Sequence, residues 1–139
     1  MHKLLPIPNV LKDKKDTTLF IVGGGPSLTN FDWSLLKNKN VLVLNRGVEK
    51  VPNALGLLWN DVKFHKDNVE NIKNFKGLKI STTRYIPPGG SHLCECDIIW
   101  VKGKNYWSDV CGFIEDSPYV VNQGSNTGYS ALNVAYHLG

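Results

Sequence analysis

Leu19-Phe20-Ile21-Val22-Gly23-Gly24-Gly25-Pro26-Ser27-Leu28 is the stretch that decides the fold. Four apolar residues in succession, ended by three glycines, read as a strand buried on both faces, the mark of a parallel sheet. A glycine-rich turn leaving such a strand lets backbone N–H groups converge on an anion, and the positive end of a following helix adds to the attraction. Asn30 or Asp32 then caps a short helix through Trp33, Leu35 and Leu36, which ends in the polar run Lys37 to Asn40.

The same unit recurs downstream. Val41 to Leu44 is a second buried strand, cut off by Asn45-Arg46-Gly47, and Ala54 to Trp59 is a third that ends at Asn60-Asp61. Val62 to Phe75 carries apolar residues at 62, 64, 69, 72 and 75, a helical stripe, and Gly77 stops it before a strand at Leu78 to Thr82. From Thr83 the pattern weakens around Pro87-Pro88-Gly89-Gly90, with a strand expected at Ile98 to Val101 and aromatic residues at Trp100, Tyr106, Trp107 and Phe113. A lid or insertion over 83–118 fits this stretch, although aromatic residues there favour packing beneath a loop. Tyr119-Val120-Val121 leads into a second glycine loop, Gln123-Gly124-Ser125-Asn126-Thr127-Gly128, and Thr127 to Leu138 reads as a helix with Leu132, Ala135, Tyr136 and Tyr129 toward the core. Alternating strands and helices predict an α/β fold: a single Rossmann-like domain over 19–139, mainly parallel, with helices on both faces. Residues 1–18 are polar, carry two prolines and read as a loosely packed leader.

Composition sets the outer limits. The chain has 139 residues, 42% of them apolar and 20% charged, enough for one soluble domain with a real core. Its apolar runs fall far short of the roughly 18 residues of a membrane span. No apolar stretch of signal-peptide length precedes Lys12, so the cytoplasm is expected and a membrane is not. The net charge of +4, with lysines grouped at 12–15, 37–39 and 63–79, reads as a solvated face and does not favour nucleic acid as a partner. Three cysteines argue for thiols. His92, Cys94, Cys96 and Cys111 lack the Cys-x₂-Cys spacing of structural zinc sites, so no metal site is assigned to them. His65 and His137 read as solvated or as partners of a helix end.

Ligands of such sheets sit outside the C-terminal ends of the strands, where the polar tips gather. Gly23, Gly24 and Gly25 allow close backbone approach there, Pro26 stiffens the turn, and Ser27 offers its hydroxyl and N–H to a phosphate oxygen. Asn45 stands where a dehydrogenase carries an acidic residue, and its amide suits ribose or a base; Arg46 suits a phosphate. No Gly-Lys-Ser or Gly-Lys-Thr triplet exists, which excludes a P-loop NTPase, and Leu28 in place of the third glycine of the dinucleotide fingerprint argues, with Asn45, against an ordinary dehydrogenase. Asp61 has two readings: a Mg²⁺ ligand or general base assisted by Asn60, or the N-cap of the helix from Val62. Gly124, Ser125, Asn126, Thr127 and Gly128 combine helix capping with free N–H groups for a second anion contact.

Taken together, the Gly23 to Leu28 loop, the strand ending in Asn45, the Trp59-Asn60-Asp61 tip and the Gly124 to Gly128 loop with Ala131, Asn133 and Ala135 resemble the 6-hydroxymethylpterin diphosphokinase MptE-like superfamily, to which many phage and prophage proteins of unassigned role are similar. A more distant similarity links the two loops to bacterial sialyltransferases that use CMP-sialic acid. The resemblance implies a nucleotide or nucleotide-sugar bound between the first and last glycine loops, and diphosphoryl or glycosyl transfer as the chemistry. In that family the late helix is usually followed by another strand and polar tip, whereas this sequence stops at Leu138-Gly139, consistent with either a fragment or a shortened fold. Two other functions stay open: a phage-encoded module that sequesters a nucleotide without chemistry, and a nucleic-acid or structural partner in which the glycine loops are only turns.

Overall fold

The computed structural model describes residues 4–82, 97–104, 116–124 and 126–139. Six parallel strands form one sheet: β1 (Leu19–Val22), β2 (Asn40–Leu44), β3 (Gly56–Trp59), β4 (Leu78–Thr82), β5 (Ile98–Lys104) and β6 (Val120–Asn122). They lie side by side in chain order, without the reversal that creates a switch point in a doubly wound sheet.

Both faces of the central strands are buried because they alternate between two cores; β1, expected to be buried on both faces, lies at the sheet edge and leaves Phe20 exposed. Val41, Val43, Leu57, Trp59, Ile98 and Trp100 point to one side, where Leu36, Val48, Phe64, Ile72 and Phe75 cover them. Leu42, Leu44, Leu58, Ile80, Val101 and Val121 point to the other, under Ala131, Val134 and Leu138. Adjacent strands joined by right-handed crossovers put their connections on one face, so the other needs a cover from elsewhere in the chain. Helix α3 (Thr127–Leu138) supplies it. The 1–18 segment contributes too: it forms no helix or strand from residue 4 onward, yet it is not loose. Ile7 and Leu11 are buried, the Leu5 N–H donates to the Trp100 carbonyl at 3.0 Å, and the Leu11 N–H donates to the Leu138 carbonyl at 2.8 Å. Two apolar side chains in a polar stretch are enough to anchor it.

Local structure follows the sequence with instructive departures. Asp32 caps a 3-10 turn at Trp33–Leu36, accepting from the Ser34 N–H at 3.0 Å, and hydrogen bonds from the Ser34 hydroxyl and N–H hold its carboxyl below the usual carboxylate range. The helix expected over Val62 to Phe75 is two helices, α1 (Val62–Asp67) and α2 (Val69–Asn74). Asn68 breaks it: its Nδ2 donates back to the Phe64 carbonyl at 2.9 Å, and such side-chain bonds compete with the helix ladder. His65, expected in solvent, is 2% exposed; its Nδ1 accepts from Trp59 Nε1 at 3.2 Å, and its ring stacks on Trp100 with 6.2 Å between centroids. Trp100 accordingly packs in the core. Tyr106, Trp107 and Phe113 lie outside the described residues.

Helix α3 has the expected bounds but not the expected face. Leu132 and Tyr136 are exposed, while Ser130, Ala131, Asn133, Val134, His137 and Leu138 are buried. The helix is turned so that two polar side chains reach partners inside. Among the described residues no helix is long and apolar enough to cross a membrane.

Gly77 is required by the junction of α2 with β4, since a Cβ there would sit 2.5 Å from the Ala54 carbonyl oxygen and 2.6 Å from that of Leu55. Both neighbours are backbone and have nowhere to go. Gly77→Ala is therefore expected to lower stability by about 1–3 kcal/mol in urea denaturation.

Candidate functional site

A cavity of about 440 Å³ opens at the C-terminal ends of the strands, lined by Asn60, Asp61, Val62, Gln123, Gly124, Asn126 and Thr127. One wall is the tip of β3 and the start of α1; the other is the loop from β6 into α3. Asn60, Asp61, Gly124, Asn126 and Thr127, singled out from sequence, are thus brought together, with Gly128 one residue inside the helix. Ser125 lies outside the described residues.

The α3 wall is built by capping. The Asn126 Oδ1 accepts from the Tyr129 N–H at 2.9 Å, which leaves the N–H groups of Thr127 and Gly128 without an intrahelical partner at the positive end of a 12-residue helix. Gly124 turns the chain into this helix with φ +52°, and a Cβ there would strike the Tyr129 ring at 2.7 Å. Only glycine meets both conditions.

On the opposite wall Asp61 caps α1, its Oδ1 accepting from the Lys63 N–H at 2.7 Å. The capping reading of Asp61 is realised. No group of three or more His, Cys, Asp or Glu residues is placed to hold a metal ion among the described residues; His92, Cys94, Cys96 and Cys111 lie outside them.

Beneath the cavity runs a ring of hydrogen bonds that the sequence did not reveal. Asn60 Nδ2 donates to Ser130 Oγ at 2.8 Å, the Thr82 hydroxyl donates to Asn60 Oδ1 at 3.2 Å, Gln123 Nε2 donates to Thr82 Oγ1, and Ser130 Oγ returns to the Gln123 carbonyl at 3.4 Å. Asn133 Oδ1 accepts from the Asn122 N–H at 3.5 Å alongside. These bonds explain the rotation of α3, because Ser130 and Asn133 must face the strand ends. Nothing in the periodicity of apolar residues signals them. The one sequence cue was the run of small and polar residues in the first turns of α3.

The first glycine loop lies elsewhere. Gly23 to Ser27 are not among the residues lining the cavity, and neither are Asn45 and Arg46. Gly25 precedes a 3-10 turn at Pro26–Leu28, its carbonyl accepting from the Leu28 N–H at 3.1 Å, and Ser27 is exposed. A Cβ at Gly23 or Gly24 would meet nothing within 4 Å, so the fold does not demand glycine at either position. Asn45 sits at the end of β2 with φ +50°, and its buried Oδ1 has no hydrogen-bond partner. Arg46 is exposed and paired with Glu49 at 2.9 Å.

Neither a protein-family model, nor a curated protein, nor a solved structure matches the chain. What the fold and the site define is a parallel α/β protein with a cavity at its strand ends, lined mostly by residues with polar side chains.

Two measurements check the geometry. Thr82→Val, nearly isosteric, strips two buried partners at once and is expected to cost about 1–3 kcal/mol. In a double-mutant cycle with Ser130→Ala the two effects should couple by at least about 0.5 kcal/mol, since both belong to one ring; simple additivity would mean the bonds act separately.

Proposed function

We propose that this chain is a nucleotide-binding domain whose ligand occupies the cavity between the β3 tip and the N-terminus of α3. The observation that carries the reading is the cavity itself: its volume of about 440 Å³ lies in the range of small-molecule sites, and it sets helix N–H groups against Asn60 and Asp61. Phosphate belongs at the α3 wall. Asn60 and Asp61 face the sugar or the group being transferred. The likeness to MptE-like diphosphokinases and to CMP-sialic acid-dependent sialyltransferases supports transfer of a diphosphoryl or glycosyl group, in the cytoplasm, with Asp61 binding Mg²⁺ or moving a proton.

A second reading, binding without chemistry, is favoured by one detail. Asp61 already has a structural duty as the cap of α1, which accounts for its place at the strand tip without any catalytic role.

A thermal-shift screen with ATP, GTP, CTP, CMP, UDP-sugars and NAD, with and without Mg²⁺, tests the site. A nucleotide at a hundredfold its Kd adds about 2.7 kcal/mol of stability. The shift should fall in Thr127→Val and persist in Asp61→Asn, which keeps a capping side chain. Diphosphoryl transfer releases a nucleoside monophosphate, and glycosyl transfer releases a nucleoside mono- or diphosphate according to the donor, so appearance of that product should cease in Asp61→Asn if the domain is a transferase. Binding without any release in wild-type protein would select the second reading, and absence of any shift would overturn both. Gly24→Ala adds a separate test of the first loop: stability should hold or rise by up to about 1 kcal/mol, while a lost nucleotide shift would place that loop on the ligand.

A further inference from the structure

Residues 4–11 add no helix or strand to the fold, yet they are docked on the elements that carry one wall of the cavity. The Leu5 N–H donates to the Trp100 carbonyl of β5 at 3.0 Å, the Ile7 N–H to the Pro118 carbonyl just before β6 at 2.9 Å, and the Leu11 N–H to the Leu138 carbonyl at the end of α3 at 2.8 Å. Ile7 and Leu11 share a core cluster with Val121, Ala131, Val134 and Leu138. Gly139 belongs to the same contact: its φ is +102°, and a Cβ there would sit 2.5 Å from Asn9 Oδ1.

The chain that follows gives this segment a hinge. Every residue from Lys12 to Thr18 is exposed, and Asn40 Nδ2 pins the far end of that stretch by donating to the Asp16 and Thr18 carbonyls at 2.9 and 3.2 Å. Residues 12–15 therefore connect a docked segment to a fixed one, and β1 keeps its place whatever residues 4–11 do. A segment held by main-chain bonds at Leu5, Ile7 and Leu11 and by two buried side chains opens at less cost than the central strands.

Helix α3 joins this docking to the cavity. The Leu138 carbonyl is one of those a helix leaves unpaired at its C-terminus, and Leu11 satisfies it. The other end of the helix, about 17 Å away at 1.5 Å per residue, is the wall that holds Asn126 and Thr127. Asn60 and Asp61, on the opposite wall, belong to the tip of β3 in the middle of the sheet, and the bond from Asn60 to Ser130 links the two walls.

Resting on the nucleotide reading, we infer that residues 4–11 are a detachable strap, hinged at 12–15, and that docking of the strap and binding of the nucleotide reinforce each other through α3. With the strap down, Ile7 and Leu11 hold α3 where its first N–H groups stand across the cavity from Asn60 and Asp61. With the strap released, the helix is free to shift and affinity falls. Linkage makes the effect mutual, so a bound nucleotide keeps the strap down.

Amide hydrogen exchange of the full chain, followed by NMR, tests this. In the free protein the Leu5, Ile7 and Leu11 amides should be at least about tenfold less protected than those of Val43 and Leu58, which open only with the central sheet. Whichever of AMP, CMP, GMP and UMP binds best, added at a hundredfold its Kd, should slow the strap amides by more than about tenfold. Leu11→Ala should weaken that nucleotide about tenfold, whereas Ile72→Ala, a comparable deletion in the core on the other face of the sheet, should leave its Kd within about twofold. Ser130→Ala, which cuts the link between the walls, should speed exchange of the strap amides in the free protein, and this arm requires neither a nucleotide nor a strap variant that folds. Strap amides as well protected as those of Val43 and Leu58 would overturn the inference, because the segment would then open only with the whole fold. Strap amides that open locally at a rate changed neither by a bound nucleotide nor by Ser130→Ala would overturn it too, and would leave the nucleotide reading standing. Absence of binding by all four monophosphates would overturn the nucleotide half of the inference, leaving Ser130→Ala to decide the coupling of strap and wall.

Discussion

The ring that joins Asn60, Ser130, Gln123 and Thr82 fixes three strand ends and the first turns of one helix with a handful of bonds. At the C-terminal end of a parallel sheet, polar side chains from neighbouring strands are forced together, and those shut away from water must pair with one another. A polar network left largely unpaired would be worse than an apolar one, and in this ring Gln123 Oε1 is the atom that keeps no partner among the described residues. Its demands reach outward. Helix α3 must rotate to offer Ser130, β5 must carry glycine at 103 to admit the Gln123 amide, and Gly124 must adopt φ +52° so that the helix starts where the ring needs it.

This explains why the fold was legible in the sequence and half of the site was not. A strand buried on both faces announces itself as an unbroken apolar run, and Val41–Leu44 and the end of the Ala54 to Trp59 stretch did so, whereas Leu19–Val22, read the same way, is an edge strand whose Phe20 is exposed. Asn60 and Asp61 were legible as the polar residues that end such a run, and Asn126 and Thr127 as residues that open a helix. Ser130 and Thr82 gave no signal, because their roles depend on partners distant in the chain; Asn60 and Ser130 are 70 residues apart. Counting apolar residues on α3 put Leu132 and Tyr136 inside, since that count has no means of recognising Ser130 and Asn133 as inward-facing. His65 was misread for the same reason: a histidine on a helix looks solvated until a Trp59 N–H is found to need it.

The two glycine loops, alike in sequence, differ in what holds them. In the second, conformation and packing both require glycine at 124, so the residue is explained by the fold and says little by itself about ligands. In the first, Gly23 and Gly24 have open space where a side chain would go, and neither has a positive φ. Substitution in the first loop can therefore probe binding without a folding penalty, whereas in the second it cannot. Sequence resemblance alone would treat the two as equivalent.

The position of the cavity has a topological cause of its own. Strands in simple chain order leave no reversal point, and therefore none of the crevice that a doubly wound sheet offers ready-made. Yet α3 packs on β1, β2 and β3 as well as on β6, which requires the sheet to curl around it. The curl brings the tip of β3 toward the end of β6 although β4 and β5 lie between them, and the Thr82 hydroxyl on β4 spans the gap. Above the ring, Asp61 and Asn126 each cap their own helix, one on each wall of the cavity. The cavity is the opening between them. Its floor is the hydrogen-bonded ring, so the same closure that stabilises the sheet also shapes the space above it.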